Sequence, residues 1–416
     1  MDTRAPTPPG ESKPDRTKRA AGDAVEKAPE EPAKKSHRRL PRPSYDRIAL
    51  LLQGGGALGA YQAGVYEALA EADLEPGWVS GISIGGINAA IIAGNPPESR
   101  VARLREFWET ITANPWICEG ALAPMIARGD VGRRFFNQIS AGAALASGAP
   151  GFFDPWKGPP WFHPAGTLEA ASYYRTSALK ETLERLVDFD RINSDAIRLS
   201  VGAVNVRTGN FVYFNTAEHT IKAQHVMASG ALPPGFPAVE IEGEYYWDGG
   251  LVSNTPLLWL LERGLLEDTL AFQIDLWNAR GELPRDIVDV GTRQKEIQYS
   301  SRTRAATDTF KFATRFHSAL ADLLDKLPPE IRKTPEAERL AASANRHVCK
   351  IVHLIYRSRN YEGFAKDYAF SRLAMNDHWR AGYNDAVRTL REPAALERPS
   401  GTDVVATFDL GADGRE

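Results

Sequence analysis

The sequence predicts an α/β fold with a central, mostly parallel sheet flanked by helices, because strand-like and helix-like segments alternate from residue 47 onwards. The run RIALLLQ (47–53) is almost continuously apolar and is followed by glycine, which is typical of a strand buried on both faces of a parallel sheet. A helix-like segment, ALGAYQAGVYEALAEAD (57–73), comes next. Its apolar positions share one helix face: Tyr61, Val65, Ala68, Leu69 and Ala72.

The next elements repeat this order. The segment WVSGIS (78–83) has the length of a strand, and it leads directly into IGGINAAIIAGN (84–95), a helix of small and aliphatic residues that Gly94 and Asn95 can cap. Two hairpin patterns and one apolar run predict further strands: IRLSVGAVNVRTGNFVYFN (197–215), AVEIEGEYYWDGG (238–250) and TLAFQIDLW (269–277).

Residues 110–175 are predicted to be an irregular insertion. The central stretch GAPGFFDPWKGPPWFHP (148–164) is rich in aromatic residues, proline and glycine. A long insertion of this kind is usually a functional lid or a packed subdomain. Its aromatic side chains therefore form either the cover of a site or a plain hydrophobic subcore: Phe152, Phe153, Trp156, Trp161 and Phe162. A helix, SALKETLERLVDF (177–189), follows the insertion.

The two ends of the chain differ in composition and predicted structure from its main domain, which we place at residues 45–280. Residues 1–44 are rich in Pro, Lys, Arg and Glu and carry few large apolar side chains, so we expect a disordered tail. Residues 281–400 are predicted to form a mainly helical extension interrupted by the strand VCKIVHLIYRSR (348–359). Residues 401–416 are predicted to be a flexible tail.

Composition excludes several classes of function. A net charge of −3 gives no reason to expect nucleic acid as a partner. Cys118 and Cys349 lie far apart in no metal-ligand spacing, which indicates neither a disulfide framework nor a zinc site and favours a reducing compartment. No apolar run is long enough to span a bilayer, and no secretory signal is recognisable. The sequence thus predicts a cytoplasmic protein.

Two kinds of binding site are compatible with the string GGGALG (54–59), which lies between a predicted strand and a predicted helix. A dinucleotide site would use these glycines for a pyrophosphate, and it also needs an acidic residue at the tip of the second strand to bind the ribose. Asp73 has the right spacing, but it falls at the end of the helix. The nucleotide hypothesis is therefore disfavoured.

The second strand ends in GISIG (81–85), a GxSxG sequence on a strand-to-helix turn. Such a nucleophile elbow needs glycines on both sides of its serine, here Gly81 and Gly85 around Ser83, because a Cβ there would collide with the neighbouring elements. The hydroxyl then stands at a helix N-terminus, which favours developing negative charge. With a serine nucleophile, the glycines have another explanation: Gly54, Gly55 and Gly56 supply the N–H donors of an oxyanion hole, with Gly59 completing the motif.

A base is still needed, and the third motif supplies it. Asp248 leaves a predicted hairpin in YYWDGGLVSNTP and is followed by Gly249 and Gly250. The stretch before it carries an AS...P...F pattern: Ala228, Ser229, Pro233 and Phe236. With the glycine loop, the GxSxG serine and the DG[AG] aspartate in this order, the chain resembles the patatin-like phospholipases over about residues 47–280, and its C-terminal part resembles the helical extension of one bacterial subgroup.

The resemblance implies a three-layer fold and a Ser83–Asp248 dyad that hydrolyses acyl esters of lipids, with neither metal nor cofactor. A lipid substrate without a membrane anchor implies peripheral membrane contact. The chain departs from the family pattern at Leu58, where many members carry Arg or Lys, which puts charge recognition of the substrate in doubt. Partial burial of Asp248 is expected to raise its basicity.

Two alternatives stay open. A Ser-His-Asp hydrolase would need a histidine after Asp248, and its candidates are His317, His347, His353 and His378. His353 lies in a strand pattern and His378 in a helix, so both are expected to be structural, like His219 and His225 before Asp248. The second alternative is a lipid-binding protein that has lost the chemistry, although such a protein would more often have lost Ser83 or Asp248.

Overall fold

The computed structural model describes residues 36–114, 129–262, 267–300, 303–359, 361–399 and 404–410. Most of the predicted tail at 1–44 therefore lies outside the described residues. A large mixed sheet organises the rest, in the strand order β11-β10-β9-β1-β2-β5-β8-β7, with β6 paired to β5. The strands of this sheet are β1 Arg47–Leu52, β2 Trp78–Ile82, β5 Arg198–Asn205, β6 Phe211–Asn215, β7 Val239–Ile241, β8 Glu244–Asp248, β9 Thr269–Asp275, β10 Cys349–Ile355 and β11 Val405–Asp409. A separate small pair is formed by β3 Asp154–Pro155 and β4 Tyr174–Arg175.

The sheet is parallel from β11 to β5 and antiparallel beyond it. β1 lies between β2 and β9, with Leu51 opposite Ser80 on one side and Gln273 on the other. Leu50 and Leu52 face one hydrophobic core, whereas Ala49 and Leu51 face a second. Burial of each of these leucines stabilises the fold by about 1.5–3 kcal/mol. The continuous apolar run is thus confirmed as a strand covered on both faces.

Helices cover the two faces and complete three layers. In chain order they are α1 Ala60–Glu71, α2 Ile84–Ala93, α3 Pro97–Ile111, α4 Gly129–Ser147, α5 Ser177–Leu186, α6 Phe189–Ile192, α7 Ala223–Ser229, α8 Leu257–Glu262, α9 Ile287–Ser300, α10 Thr303–Lys326, α11 Pro329–Arg332, α12 Pro335–Ala341, α13 Arg372–Leu390 and α14 Pro393–Leu396. Short 3-10 turns lie at Gly56–Gly59, Pro160–Phe162, Gly249–Leu251 and Lys366–Tyr368.

Helices α1 and α13 pack backbone against backbone. A Cβ on Gly64 would lie 1.9 Å from the carbonyl oxygen of Trp379, and one on Gly382 would lie 2.0 Å from that of Tyr61. Because α13 covers the outer side of α1, α1 is buried almost all round rather than on the one face that its pattern predicts. The C-terminal region is therefore part of the same packed structure as the first helix.

Three predictions about irregular segments are wrong in part. Within the supposed tail, residues 36–44 are placed against α1: His37 Nε2 lies 2.8 Å from a Glu71 carboxylate oxygen, and the Leu40 N–H donates to the Ala72 carbonyl at 3.1 Å. Within the supposed irregular insertion, 129–147 forms the long helix α4, which buries Phe136 and Ala144. Residues 115–128 of that insertion lie outside the described residues.

The third error concerns the supposed flexible tail at 401–416. Residues Val405–Asp409 form the edge strand β11 and pair in parallel with β10. The Cys349 N–H donates to the Val404 carbonyl at 2.8 Å, next to the first pair of this ladder. The remaining residues of that segment, except 404 and 410, lie outside the described part of the chain.

Gly94 and Asn95 end α2 as predicted, but the hydrogen bonds that cap the helix come from the Asn95 side chain. Gly94 ends the helix with φ −84°, so it does not use the left-handed region that a glycine cap often occupies. The Asn95 side chain instead donates from Nδ2 to the carbonyls of Ile91, at 2.9 Å, and Leu186, at 2.8 Å. This amide satisfies one carbonyl of the last helical turn and ties α2 to α5.

Candidate active site

Ser83 stands on the sharp turn between β2 and α2. It has φ 55° and ψ −125°, a conformation that costs free energy for a residue with a side chain. A Cβ on Gly81 would lie 2.2 Å from the Gly85 carbonyl oxygen, and one on Gly85 would lie 2.3 Å from that of Leu52. Only glycine fits at either position, as the elbow geometry predicts.

The backbone of Ser83 is held by the segment that precedes Asp248. The Ser83 N–H donates to both the carbonyl oxygen of Ser229, at 3.1 Å, and its hydroxyl, at 3.0 Å. Ser229 is the last residue of α7 and belongs to the AS...P...F stretch. These bonds fix the turn that presents the Ser83 side chain, which is half-buried.

Asp248 ends β8, and its side chain is buried at the same point. Its backbone N–H donates to the Ala231 carbonyl at 3.0 Å, and its Oδ1 accepts the Gly250 N–H at 2.7 Å. The Ser83 side chain lies near its carboxyl group, and both residues line the same cavity. Burial raises the pKa of Asp248 to about 7, against the opposing effects of the Ser83 hydroxyl and the Gly250 N–H. The two residues are separated by 165 positions in sequence, and the fold brings their side chains together.

The glycine loop runs beside this pair and is fixed by distant side chains. The Gly54 carbonyl accepts hydrogen bonds from Asn254 Nδ2 at 3.0 Å and from Trp277 Nε1 at 2.9 Å. The Gly54 N–H is already directed at the Asn254 carbonyl, at 3.4 Å. Within the described part of the chain, the amides of Gly55 and Gly56 have no such acceptor. Two of the three predicted donors are therefore available to a ligand.

Close packing explains why the loop consists of glycine. Gly56 has φ +55°, and a Cβ there would lie 2.1 Å from the Asp367 carbonyl oxygen. The loop is thus pressed against the 3-10 turn of the C-terminal region. The other motif glycines are similarly confined, each with a neighbouring atom within 3.0 Å of a hypothetical Cβ: Gly54, Gly55, Gly59, Gly249 and Gly250.

The buried amide side chains of Gln53 and Asn88 hold the glycine loop and the segments next to it in place. Neither residue was predicted from the sequence to belong to the site. The Gln53 Oε1 accepts the backbone N–H groups of Leu276, at 2.7 Å, and Trp277, at 3.0 Å. The Asn88 Nδ2 donates to the Gly59 carbonyl at 3.0 Å, and Trp108 Nε1 donates to Asn88 Oδ1 at 3.1 Å. A buried Gln or Asn in an apolar segment is the signal that could have identified them, because buried amides require partners.

A cavity of about 260 Å³ opens beside Ser83 and Asp248. Its walls are predominantly apolar and aromatic, and five of the lining rings cluster with centroids 5.0–6.2 Å apart: Phe152, Phe153, Tyr174, Phe236 and Phe370. Edge-to-face contacts of this kind stabilise a rigid wall. The space suits a hydrocarbon chain that ends at the serine hydroxyl.

The aromatic insertion contributes only part of this wall. Phe152 and Phe153 line the cavity, whereas the Trp156 indole donates to Ser172 Oγ at 3.0 Å and lies elsewhere. Trp161 and Phe162 are 72% and 78% exposed. The hypothesis of a cover is thus supported for two of its five aromatic residues, and whether the segment moves as a lid stays a prediction.

No histidine in the described ranges lines this cavity. His225 packs on Phe214, and its burial lowers its pKa to about 4. His378 is buried elsewhere, with Nε2 2.7 Å from a Glu362 oxygen and Nδ1 3.3 Å from the Ala57 carbonyl. The other candidates lie away from the cavity as well: His219, His317, His347 and His353.

Three further observations bear on possible ligands. Leu58 is fully buried in the core, so its position in the loop does not face the cavity. Asp73 lies in the turn after α1 with φ 60°, away from any strand tip that could hold a ribose. Among the described residues, no three His, Cys, Asp or Glu side chains gather as metal ligands would, and no helix has the length and apolar character that crossing a bilayer demands.

Family models match two segments of the chain, and one curated protein is similar to it over a short stretch. A family model described as patatin-like phospholipase matches residues 50–261, just over half of the 416-residue chain. A second model, described as patatin phospholipase, matches residues 297–402. The triacylglycerol lipase SDP1L of Arabidopsis thaliana is 43% identical over 51 residues, which is 12% of this chain and 6% of that protein.

Two solved structures are also similar. VipD from Legionella pneumophila is 16% identical with a TM-score of 0.38, and the match covers 84% of this chain and 67% of that one. The second is the complex of full-length SpcU with full-length ExoU from the type III secretion system of Pseudomonas aeruginosa. It matches with 18% identity and a TM-score of 0.26, covering 65% of this chain and 52% of the matched chain.

Proposed function

The chain belongs to the patatin-like phospholipase family, and from that premise we propose that it is a lipid acyl hydrolase in which Ser83 is the nucleophile and Asp248 the base. The observation that carries the proposal is the convergence of the Ser83 side chain and the buried Asp248 carboxyl group on the same apolar cavity. A hydroxyl next to a base, facing a space for an acyl chain, is the arrangement that ester hydrolysis requires.

In the first half of the reaction, Ser83 Oγ attacks the ester carbonyl while Asp248 takes its proton. The alcohol then leaves with that proton, and an acyl-enzyme remains. In the second half, Asp248 takes a proton from a water molecule, which attacks the acyl group. The bond between the acyl carbon and Ser83 Oγ then breaks, Asp248 returns the proton to Oγ, and the fatty acid is released. A carboxyl group with a pKa of about 7 is a far better base than an ordinary aspartate, and the burial that raises it is a property of the fold.

The tetrahedral intermediate carries a negative charge, and we assign its binding to the Gly55 and Gly56 amides. Their lack of a protein acceptor supports this role, whereas Gly54 has an acceptor in Asn254. The N-terminus of α2, which begins at Ile84, adds a favourable dipole beside Ser83. Preset donors of this kind lower the barrier without reorganisation during the reaction.

The geometry of the site argues against a Ser-His-Asp triad and against an inactive lipid-binding protein. A Ser-His-Asp triad needs a histidine within reach of the nucleophile, and none of the described histidines lines the cavity. An inactive lipid-binding protein would have no need to retain the strained conformation of Ser83 together with the buried carboxyl group of Asp248. The strained backbone of Ser83 and the buried carboxyl group of Asp248 each destabilise the fold, and a catalytic dyad accounts for both.

The cavity also bears on the type of lipid. Asp248 and Asp367 line it, whereas no Lys or Arg does so among the described residues. Asp367 is paired with Lys295, whose Nζ lies 2.8 Å from Oδ1, so Asp248 is the lining carboxyl group that would repel an anionic head group. We therefore propose that esters with neutral or zwitterionic alcohol parts are hydrolysed faster than anionic phospholipids.

Contact with a lipid surface is proposed through α4. Val131, Phe135 and Ile139 project from one face of this helix and are 50–85% exposed. Leu145, near the end of the same helix, is both exposed and part of the cavity wall. The apolar surface thus leads to the mouth of the cavity, as expected for an enzyme that takes its substrate from a membrane or a lipid droplet.

The central experiment is labelling with a fluorophosphonate probe, followed by a screen against mixed neutral and phospholipids with mass-spectrometric detection of released fatty acid. Ser83→Ala should abolish labelling and reduce turnover by about 10⁴-fold or more, and Asp248→Asn should reduce turnover similarly. Ser194→Ala, at an exposed serine, is the matched control and should behave as the unmodified protein. Full turnover in the Ser83 variant would refute the proposal.

A further inference from the structure

A second and larger cleft lies at the carboxyl ends of β10 and β11. It encloses about 900 Å³ between these strand ends and α13, and no described residue lines both this cleft and the Ser83 cavity. The position matters because, in a parallel sheet, the crevice beyond the carboxyl ends of the strands is where ligands commonly bind. Ester hydrolysis at Ser83 makes no use of it.

The lining of this cleft is mainly basic. Four guanidinium groups, from Arg357, Arg359, Arg388 and Arg391, face two carboxylates, from Asp385 and Asp409. His37 and His353 lie in the same wall. Since the chain as a whole carries a net charge of −3, this is a local concentration of positive charge rather than a reflection of the composition.

Several of these groups lack partners. Arg388 pairs with Asp385, but Arg357, Arg359 and Arg391 form no ion pair with any described residue. The Arg391 Nε and His353 Nδ1 atoms are buried and have no hydrogen-bond partner in the described part of the chain. A buried polar atom without a partner destabilises the fold, so a ligand that forms hydrogen bonds with these two atoms would gain by satisfying them.

From the charge, the unsatisfied buried atoms and the position we infer that this cleft binds a phosphate group. Guanidinium groups bind phosphate oxygens through paired, charge-assisted hydrogen bonds, and a set of arginines without carboxylate partners is suited to that geometry. The phosphate group is the shared chemistry, and it belongs either to a soluble phosphate ester or to the head group of an anionic lipid. The cleft gives the C-terminal region a binding role separate from hydrolysis.

The test is titration calorimetry of the full-length protein with inorganic phosphate and with pyrophosphate. The double variant Arg357→Gln/Arg391→Gln should weaken binding by about tenfold or more for each guanidinium group removed. The control Arg207→Gln/Arg339→Gln makes the same change in net charge at exposed surface ion pairs and should leave binding unchanged. A second variant, Arg357→Gln/Arg359→Gln, alters only exposed side chains and should also bind weakly, which covers the case that a change at Arg391 impairs folding.

Sedimentation with vesicles distinguishes the two sources of phosphate. Phosphatidylcholine vesicles with and without phosphatidic acid are compared, with pyrophosphate as competitor. Binding to acidic vesicles that pyrophosphate and the Arg357/Arg391 variant both abolish assigns the site to a lipid head group, whereas calorimetric binding alone assigns it to a soluble ester. No binding in any arm, or equal loss in the Arg207/Arg339 control, would overturn the inference.

Discussion

Replacing Asp248 by asparagine is expected to stabilise the protein at neutral and alkaline pH while removing its activity. The carboxyl group is fully buried, and one of its oxygens accepts the Gly250 N–H at 2.7 Å. An asparagine amide has nearly the same shape and keeps an oxygen for that bond, but it carries no charge. The substitution therefore removes a buried ionised group without creating a cavity.

The magnitude follows from the pKa of Asp248, which burial raises from 3.8 to about 7. Because the folded-state pKa is raised, the stabilising contribution of the neutral acid is complete below pH 3.8 and is lost as the pH rises to about 7. Each unit corresponds to about 1.4 kcal/mol, so the total loss is about 4 kcal/mol. Between pH 5 and pH 8 the asparagine variant should gain about 3 kcal/mol of unfolding free energy relative to the unmodified protein.

Urea unfolding at pH 5 and pH 8, followed by tryptophan fluorescence, measures this gain. Taking the difference between the two proteins removes the contribution of other groups, such as buried Asp275, whose pKa is also raised to about 7. Ser83→Ala is the control, because it retains the carboxyl group. Since the Ser83 hydroxyl lowers the pKa of Asp248, the pH dependence of this variant should be at least as large as that of the unmodified protein. A difference that is the same at both pH values would show that the Asp248 pKa is ordinary and would refute the account of its basicity.

Three further outcomes are expected. In His378→Ala, Glu362 is left buried without its imidazole hydrogen-bond partner, so the unfolding free energy should fall by about 3 kcal/mol in urea titrations, while the folded fraction still labels with fluorophosphonate. Gly56→Ala should lower ester turnover by about 10²–10³-fold with an unchanged circular dichroism spectrum, since it displaces an oxyanion donor. Val131→Ser/Phe135→Ser should reduce sedimentation with phosphatidylcholine vesicles but leave hydrolysis of a water-soluble ester unchanged.

The sequence predicts those parts of the fold that impose a pattern of residue types on neighbouring positions. β1 is a run of apolar residues because both of its faces are covered, and the elbow at Ser83 is recognisable because Gly81 and Gly85 each meet a backbone oxygen. The hairpin that ends in Asp248 turns at Glu242 and Gly243, both of which have positive φ, and a glycine in such a turn is visible in the sequence. In each case the requirement falls on neighbouring residues, even where the contacting atom is distant in sequence, as Leu52 is from Gly85, so it is visible in the order of the amino acids.

The parts that it does not predict depend on distant contacts. α4 could not be recognised from the sequence because its apolar residues lie on two sides of the helix, a buried side with Phe136 and an exposed side with Phe135. β11 is a short edge strand whose pairing with β10 no local pattern specifies. Asn254, which fixes Gly54 from 200 positions away, resembles an ordinary turn residue in sequence. Long-range hydrogen bonds of this kind leave no periodic signal.

The continuity of the sheet from β1 through β9 to β10 and β11 has a practical consequence. A chain shortened at residue 280 would keep Ser83 and Asp248, but the seven residues of β9 would lose their neighbour on one side. An open strand of that length is a template for association with other molecules. Truncation to a minimal hydrolase is therefore expected to give insoluble material, so the molecule should be kept whole through β11 in crystallisation or engineering.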